Sequence, residues 1–305
     1  MSERYQEVEF VVAEASGRLD KTLAERFEQL SRAQVQNLIQ DGQVMVNGRL
    51  VKSSYRVEGG ETIWIKLPLP EEDLETQPES IALDILYEDQ YLAVINKPAG
   101  MVVHPATGHT TGTLVNAVLA RWPEIAAFSE SGRAGIVHRL DKETSGVILI
   151  AKTEKTLNDL RVMFKDRQIH KRYIALVEGV PDAPDGVIDA PIGRDPKQRK
   201  RMAVVRDGRD AVTEFHVLDT YSGVSLLEVF PKTGRTHQIR VHLAFIGHPV
   251  IGDGVYGSRK QQVKLKRYFL HASSITLTLP ENIEPLTVTA PLPVGLQNVL
   301  DKLPR

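Results

Sequence analysis

The chain contains no cysteine. That excludes disulfides, thiolate nucleophiles and any zinc or iron–sulfur centre held by sulfur. It also lacks any apolar run approaching the ~18 residues a membrane helix requires, and MSERYQEVEF at the N-terminus has no apolar stretch that could serve as a signal peptide, so a cytoplasmic protein without membrane contact is expected. Net charge is nearly absent as well, at −1, which would argue against a nucleic-acid partner if the charges were evenly spread. They are not. Residues 1–68 hold 9 basic and 10 acidic side chains, residues 69–90 hold none and 8, and residues 91–305 hold 29 and 21, so the last region stands at +8. Its basic residues cluster at Arg161 to Arg172, Arg194 to Arg209 and Arg259 to Arg267, runs able to track a phosphate backbone.

At 305 residues the chain is long for one core, and two domains are expected. Gly17 to Leu30 reads as a helix with Leu19, Leu23 and Phe27 on one face. Ser31 with Gln34 three residues on has capping-box spacing and opens a second helix, with Val35, Leu38 and Ile39 inward and Gly42 as a left-handed stop. Val44 to Val51 alternates around Asn47-Gly48, a hairpin signal, and a strand from Ile63 to Leu67 closes the unit. Pro68 to Pro78, with Glu71, Glu72, Asp73 and Glu75, reads as an acidic linker. The expected division is thus a domain at 1–68, a linker at 69–80 and a second domain at 81–305.

Beyond Ile81, β-branched or alternating runs dominate: Ile85 to Tyr87, Leu92 to Asn96, Val147 to Ala151, Tyr173 to Glu178, Val212 to Leu218, Val224 to Phe230 and Ile275 to Leu279. Helical patterns are fewer, chiefly Thr113 to Arg121, Glu154 to Arg167 and Thr236 to Phe245. Many strands without regular strand–helix alternation predict an α+β fold on a largely antiparallel mixed β-sheet flanked by helices and loops.

Two polar stretches stand where strands should end: HRLDKETSG, His138 to Gly146, and TGRTHQIRVH, Thr233 to His242. The first carries Asp141 and the second Arg235 in a Thr-Gly bend, so an ion pair across a cleft is expected. Other apparent motifs fail on context. Gly252, Gly254 and Gly257 spell GxGxxG, but basic residues follow instead of an apolar helix, and His237 and His242 lack the i,i+4 spacing of a helical zinc pair.

With KPAGMVVHP (Lys97 to Pro105) and KRYIALVEG (Lys171 to Gly179), the two stretches form four ordered blocks. On these the chain resembles the RNA pseudouridine synthases of the RluA superfamily, and in pattern the large-subunit ribosomal RNA synthases of RluD type. Its first unit, through GRLDKTLAERF, SRAQVQNLIQDGQVMVNG and GGETIWI, resembles the small RNA-binding domain of S-four type, the αL motif.

The resemblance implies cofactor-independent isomerisation of uridine to pseudouridine, with Asp141 as the catalytic carboxylate, Tyr173 as the active-site tyrosine and Arg235 as the partner that keeps Asp141 ionised. It implies RNA contact by Arg139, which would fill the space left by a flipped base, and an apolar wall at Ile239. The block around Lys97 and His104 would support the catalytic loop. In the first domain Arg18, Lys21, Arg32, Arg49 and Lys52 are candidates for RNA phosphates, as are Arg199, Lys200 and Arg201 in the second. The implied partner is large-subunit rRNA, within a pre-ribosomal particle, with the protein acting as a monomer; tRNA is the alternative substrate. A C5-methyltransferase, which generally attacks with a cysteine and needs a methyl-donor pocket, is disfavoured by the missing thiol and the missing pocket motif. A non-catalytic RNA-binding assembly factor is disfavoured by the intact Asp141, Tyr173 and Arg235.

Overall fold

The computed structural model describes residues 5–27, 29–68, 76–105, 109–128, 133–198, 201–258, 263, 265–280 and 284–304. The acidic stretch from Glu71 to Glu75, Arg199, Lys200 and part of the basic run from Arg259 lie outside the described residues. The chain forms two compact units, residues 1–74 and 75–305.

In the first unit the elements are β1 (Tyr5–Val11), β2 (Gly17–Arg18), α1 (Leu19–Arg26), α2 (Arg32–Gln40), β3 (Val44–Val46), β4 (Arg49–Leu50), β5 (Arg56–Val57) and β6 (Thr62–Pro68). A four-stranded sheet runs β1-β6-β3-β4, and β2 pairs with β5. Local signals explain most of it. The Ser31 side chain and Gln34 cap α2 reciprocally, as their spacing predicts. At its other end Gly42 is left-handed at φ +73°, and the N–H of Gln43 reaches back to the Leu38 carbonyl, closing a Schellman turn. Asn47 and Gly48 both take positive φ and join β3 to β4 tightly. The first helix is shorter than its pattern predicts, because Gly17 and Arg18 are extended and paired with β5. Leu19, Leu23, Val35, Ile39, Val44, Ile63 and Ile65 form the core.

The second unit contains β7 (Ile85–Glu88), β8 (Leu92–Lys97), α3 (Leu114–Arg121), a 3₁₀ turn (Pro123–Phe128), β9 (Ser145–Ala151), α4 (Glu154–Lys165), β10 (His170–Glu178), β11 (Asp185–Asp189), β12 (Ile192–Arg194), β13 (Met202–Val204), β14 (Val212–Tyr221), β15 (Val224–Pro231), α5 (Gln238–Phe245), β16 (Leu270–Leu277), β17 (Leu286–Thr289) and α6 (Val294–Leu300). The large sheet runs β11-β14-β15-β10-β16-β9-β8-β7, with β17 on β16. Only β16 and β9 pair in parallel among the described strands. All seven residues of β9 are buried, which is why it reads as an unbroken apolar run instead of an alternating one. Each of its large side chains removes enough apolar surface to be worth roughly 1.5–3 kcal/mol.

Candidate active site

The site stands at the parallel β9–β16 junction, and a glycine fixes that junction. Gly146 has φ +113°, and a Cβ there would lie 2.0 Å from the Ala272 carbonyl oxygen. No other residue lets the two strands close. The polar block before it, including Asp141, therefore projects from the end of two central strands. Lys97, fully buried at the end of β8, braces this loop from beneath: its Nζ donates to the carbonyls of Pro98, Met101 and Lys142 at 2.7, 2.9 and 3.2 Å. Burial pushes Lys97 down to about 8, which still leaves it mostly protonated at neutral pH and able to hold all three.

Asp141 keeps a side chain 16% exposed, and its Oδ2 collects the groups around it. Arg240 donates Nη1–H at 3.0 Å, the Tyr268 hydroxyl stands at 3.5 Å and His237 Nε2 at 3.9 Å. Arg240 is the third residue of α5, a helix buried on all sides from Gln238 to Leu243. A cation there needs anionic partners. Asp253, itself fully buried, supplies the second: Arg240 Nε and Nη2 fork onto its two oxygens at 2.7 and 3.0 Å. Backbone N–H groups of Val255 and Tyr256 also donate to Asp253 Oδ1. Burial opposes the charge on Arg240, but the bonds to Asp253 and the fields of Asp253 and Asp141 outweigh it and raise the guanidinium above its ordinary value. Burial likewise opposes the charge on Asp253, yet Arg240 and the two amides bring it below the usual carboxylate range. The Gly252 turn makes this possible: at φ +83°, a Cβ there would sit 2.2 Å from the Arg267 carbonyl oxygen. Thus Gly252, the first glycine of the failed GxGxxG pattern, shapes a tight bend that delivers Asp253.

The expected Asp141–Arg235 pair is not formed. Arg235 precedes the helix, half-buried, and its Nε donates to the Asp210 carbonyl at 2.9 Å. Burial and the nearby Arg209 and Arg167 lower it, so it belongs to a positive rim. The physical reason is the left-handed turn at His237 (φ 57°, ψ 19°), which separates the loop holding Arg235 from the helix that aims Arg240 inward.

Tyr173 lies on β10 beside a register shift against β16, between Arg172 and Tyr173. Burial pushes its phenol well above the ordinary tyrosine value, and the charge of Asp141 adds to the rise, so the hydroxyl stays protonated. Tyr173 and Ile239 share the large apolar cluster with Val103 and Leu140, and both are buried. Arg139 is exposed and makes no hydrogen bond or ion pair among the described residues. His104, half-buried, is lowered to about 4 by burial and by Arg139 and Arg133.

In the first unit, Arg18 and Arg32 turn out to serve Asp20. Its buried carboxylate accepts from Arg18, Arg32 and Gln36, with Gln36 Nε2 at 2.7 Å. Both guanidinium side chains remain about half exposed, at 45% and 52%. Lys21 pairs with Glu25 on the helix surface, while Arg49 and Lys52 are exposed. In the second unit Arg201 stacks over the Tyr256 ring at 5.0 Å.

A family model described as RNA pseudouridylate synthase matches residues 91–245, and an S4 domain model matches residues 17–63. The chain is 44% identical over 288 residues to the RNA pseudouridine synthase YlyB of Bacillus subtilis, covering 94% of each. It is 43% identical over 293 residues to ribosomal large subunit pseudouridine synthase D of Nitrosomonas europaea, covering 94% of this chain and 84% of that one. Among solved structures, human RNA pseudouridylate synthase domain containing 1 matches with a TM-score of 0.57 and 28% identity, over 70% of this chain and 84% of that chain.

Proposed function

The chain belongs to the RNA pseudouridylate synthase family, and from that premise we propose that it isomerises specific uridines of large-subunit ribosomal RNA, with Asp141 as the carboxylate that acts on the nucleoside. The reaction breaks C1′–N1, turns the uracil, forms C1′–C5, releases the C5 proton and places one on N1. Every atom is conserved, so neither an oxidant nor a group donor is needed. The observation that carries the reading is the pair between half-buried Asp141 and Arg240, anchored in turn by Asp253. It aims one carboxylate at the end of the sheet, where Tyr173 and Ile239 supply a ring and an apolar wall for the displaced base.

Around that slot the basic side chains have a common task. Arg139 beside Asp141 occupies the gap left when uridine leaves its stack, since a base inside folded RNA cannot otherwise reach a recessed carboxylate. Arg235 and its neighbours Arg167 and Arg209 take the flanking phosphates. Lys21, Arg49 and Lys52 of the S4 domain, together with the exposed faces of Arg18 and Arg32, add a second point of contact. The protein works in the cytoplasm as a monomer on rRNA or its early particles, with residues 1–68 and 81–305 as separate binding and catalytic domains.

The test is release of tritium from C5-labelled uridine in large-subunit rRNA. Asp141→Asn is expected to lower turnover by roughly four orders of magnitude, as for other obligate groups, with RNA affinity within a few fold of wild type. An Asn variant within tenfold of wild type excludes Asp141 from the chemistry.

A further inference from the structure

His237 is one of four non-glycine residues with positive φ among the described residues, at φ 57° and ψ 19°. A left-handed histidine is costly, and such strain concentrates where function requires it. Capping does not explain it. His237 occupies the N-cap of α5, yet its side chain makes no cap hydrogen bond. The ring is committed elsewhere: Nδ1 lies 2.8 Å from the Tyr256 hydroxyl, and Nε2 lies 3.9 Å from Asp141 Oδ2.

The tautomer follows from the partners of Tyr256. Its phenol oxygen accepts the backbone N–H of Met202 at 3.0 Å, and the acceptor at hand for its own proton is His237 Nδ1. Nδ1 is therefore the accepting nitrogen, and Nε2 carries the hydrogen that faces Asp141. Burial holds the imidazole neutral, with Arg240 and Arg139 acting in the same direction and Asp141 and Asp253 against it. The Tyr256 ring also sits 5.0 Å from the guanidinium carbon of Arg240 on the catalytic pair, and 5.0 Å from that of Arg201, which leads out of the basic segment.

We propose that His237 is a positioning residue for the isomerisation: with uridine in the slot its Nε2–H closes onto Asp141 Oδ2, and Tyr256 sets the tautomer that makes this possible. The proposal rests on the reading of Asp141 as the acting carboxylate. With Arg240, Tyr268 and His237 all drawn to Oδ2, Oδ1 is the oxygen left to meet the nucleoside. The distance of 3.9 Å fits an open site, because catalytic hydrogen bonds commonly shorten only when substrate is bound. Because Met202 follows Arg201 directly, RNA seated on that segment steadies the phenol, and through it the imidazole.

The test is a double-mutant cycle in single-turnover assays of the full chain at saturating RNA. His237→Gly removes the ring but suits a left-handed backbone, so its Tm should stay within a few degrees of wild type or rise. Its rate should fall about tenfold to a hundredfold. Tyr256→Phe keeps the ring between Arg201 and Arg240 and loses only the hydroxyl, and should slow turnover about three- to tenfold with RNA affinity unchanged. The two changes should not add, since each acts through the same nitrogen. His237→Gln, whose amide nitrogen can reach the place of Nε2, should recover most of the rate. Additive losses, a His237→Gly rate within twofold of wild type, or a His237→Gly loss accompanied by a fall in Tm of more than about 5 °C would overturn the proposal. Asp141→Asn run alongside separates the two claims. If that variant stays active the reading of Asp141 has failed; if it is inactive while the histidine variants are normal, only this inference has.

Discussion

At the scale of single residues, the site turns on which of two arginines in one ten-residue block meets the carboxylate. Arg235 and Arg240 have the same charge and nearly the same sequence context, and spacing alone does not separate them. Burial does. The segment QIRVHL is buried throughout, so the cation within it must be neutralised by buried anions, whereas Arg235 keeps solvent and a backbone carbonyl for company. Arg240→Lys retains the charge but replaces a planar fork by a point ammonium that cannot bridge Asp253 bidentately and still reach Asp141. Its turnover is expected to fall at least a hundredfold at saturating RNA, with a modest loss of stability. Arg235→Ala should do the opposite, weakening RNA binding about tenfold while the single-turnover rate stays within threefold. Filter binding and quench-flow kinetics on the two variants decide it, and a reversed pattern would restore Arg235 as the partner of Asp141.

At the scale of elements, strand β9 is tied to the Asp141 block by a histidine whose charged form burial strongly opposes in the folded state. His138 Nε2 accepts the N–H of Leu149 in β9 at 2.9 Å. Burial, with Lys171 adding to it, lowers the imidazole to about 3. Since the folded value lies below the unfolded one near 6.5, the unfolded chain takes up the proton first as the solution is acidified. The stability held above pH 6.5 is therefore lost progressively as pH falls towards 3, by about 2 kcal/mol at pH 5 from this group. His138→Gln offers an amide oxygen to Leu149 and does not titrate. Urea midpoints for the variant should fall less steeply than wild type between pH 6.5 and 5, and parallel slopes would refute the assignment. Elements of this kind were legible where a local rule decides them: the Ser31–Gln34 capping box, the Asn47-Gly48 hairpin, the Gly42 stop and the apolar run of β9 all match the sequence reading. Those decided by distant partners were not. Strand β1 is defined by pairing with β6 some fifty residues later, and β11 is a short strand completed by β14, with β12 and β13 between them in the chain. The same holds at the site. Asp141 and Tyr173 could be named from their blocks, but Asp253, Tyr268 and Tyr256 reach it only through the Gly252 bend and the return of β16.

At the scale of the whole molecule, charge and core are divided between two units, and the division predicts how RNA is held. The cores are distinct clusters, one built on Leu19, Leu23 and Val35, the other on β8, β9, β10 and β16. Deleting residues 1–68 should therefore leave a folded catalytic unit. Positive charge is concentrated in the later part of that unit, since residues 91–305 carry 29 basic against 21 acidic side chains while residues 1–68 carry 9 against 10. In addition, Arg18 and Arg32 are partly neutralised by buried Asp20, whereas Arg49 and Lys52 are exposed and Lys21 meets Glu25 only in an exposed surface pair. If about nine phosphates are engaged in all, roughly three of them by the first unit, counterion release on single-stranded RNA gives a slope near −6 in log affinity against log salt, or roughly a 4000-fold loss between about 50 and 200 mM. Removal of residues 1–68 should reduce that slope by about two, for three lost contacts, and relax the choice of uridine more than it slows the chemistry. Replacing Arg199, Lys200 and Arg201 together with alanine should reduce it by a similar amount, and turnover at saturating RNA should drop only as far as the Tyr256 contact of Arg201 contributes. A truncated protein that fails to fold, or one that binds with an unchanged slope and modifies the natural site as efficiently as the full chain, would show that the first unit is not a separate RNA-binding domain. The affinity would then rest on the +8 region alone.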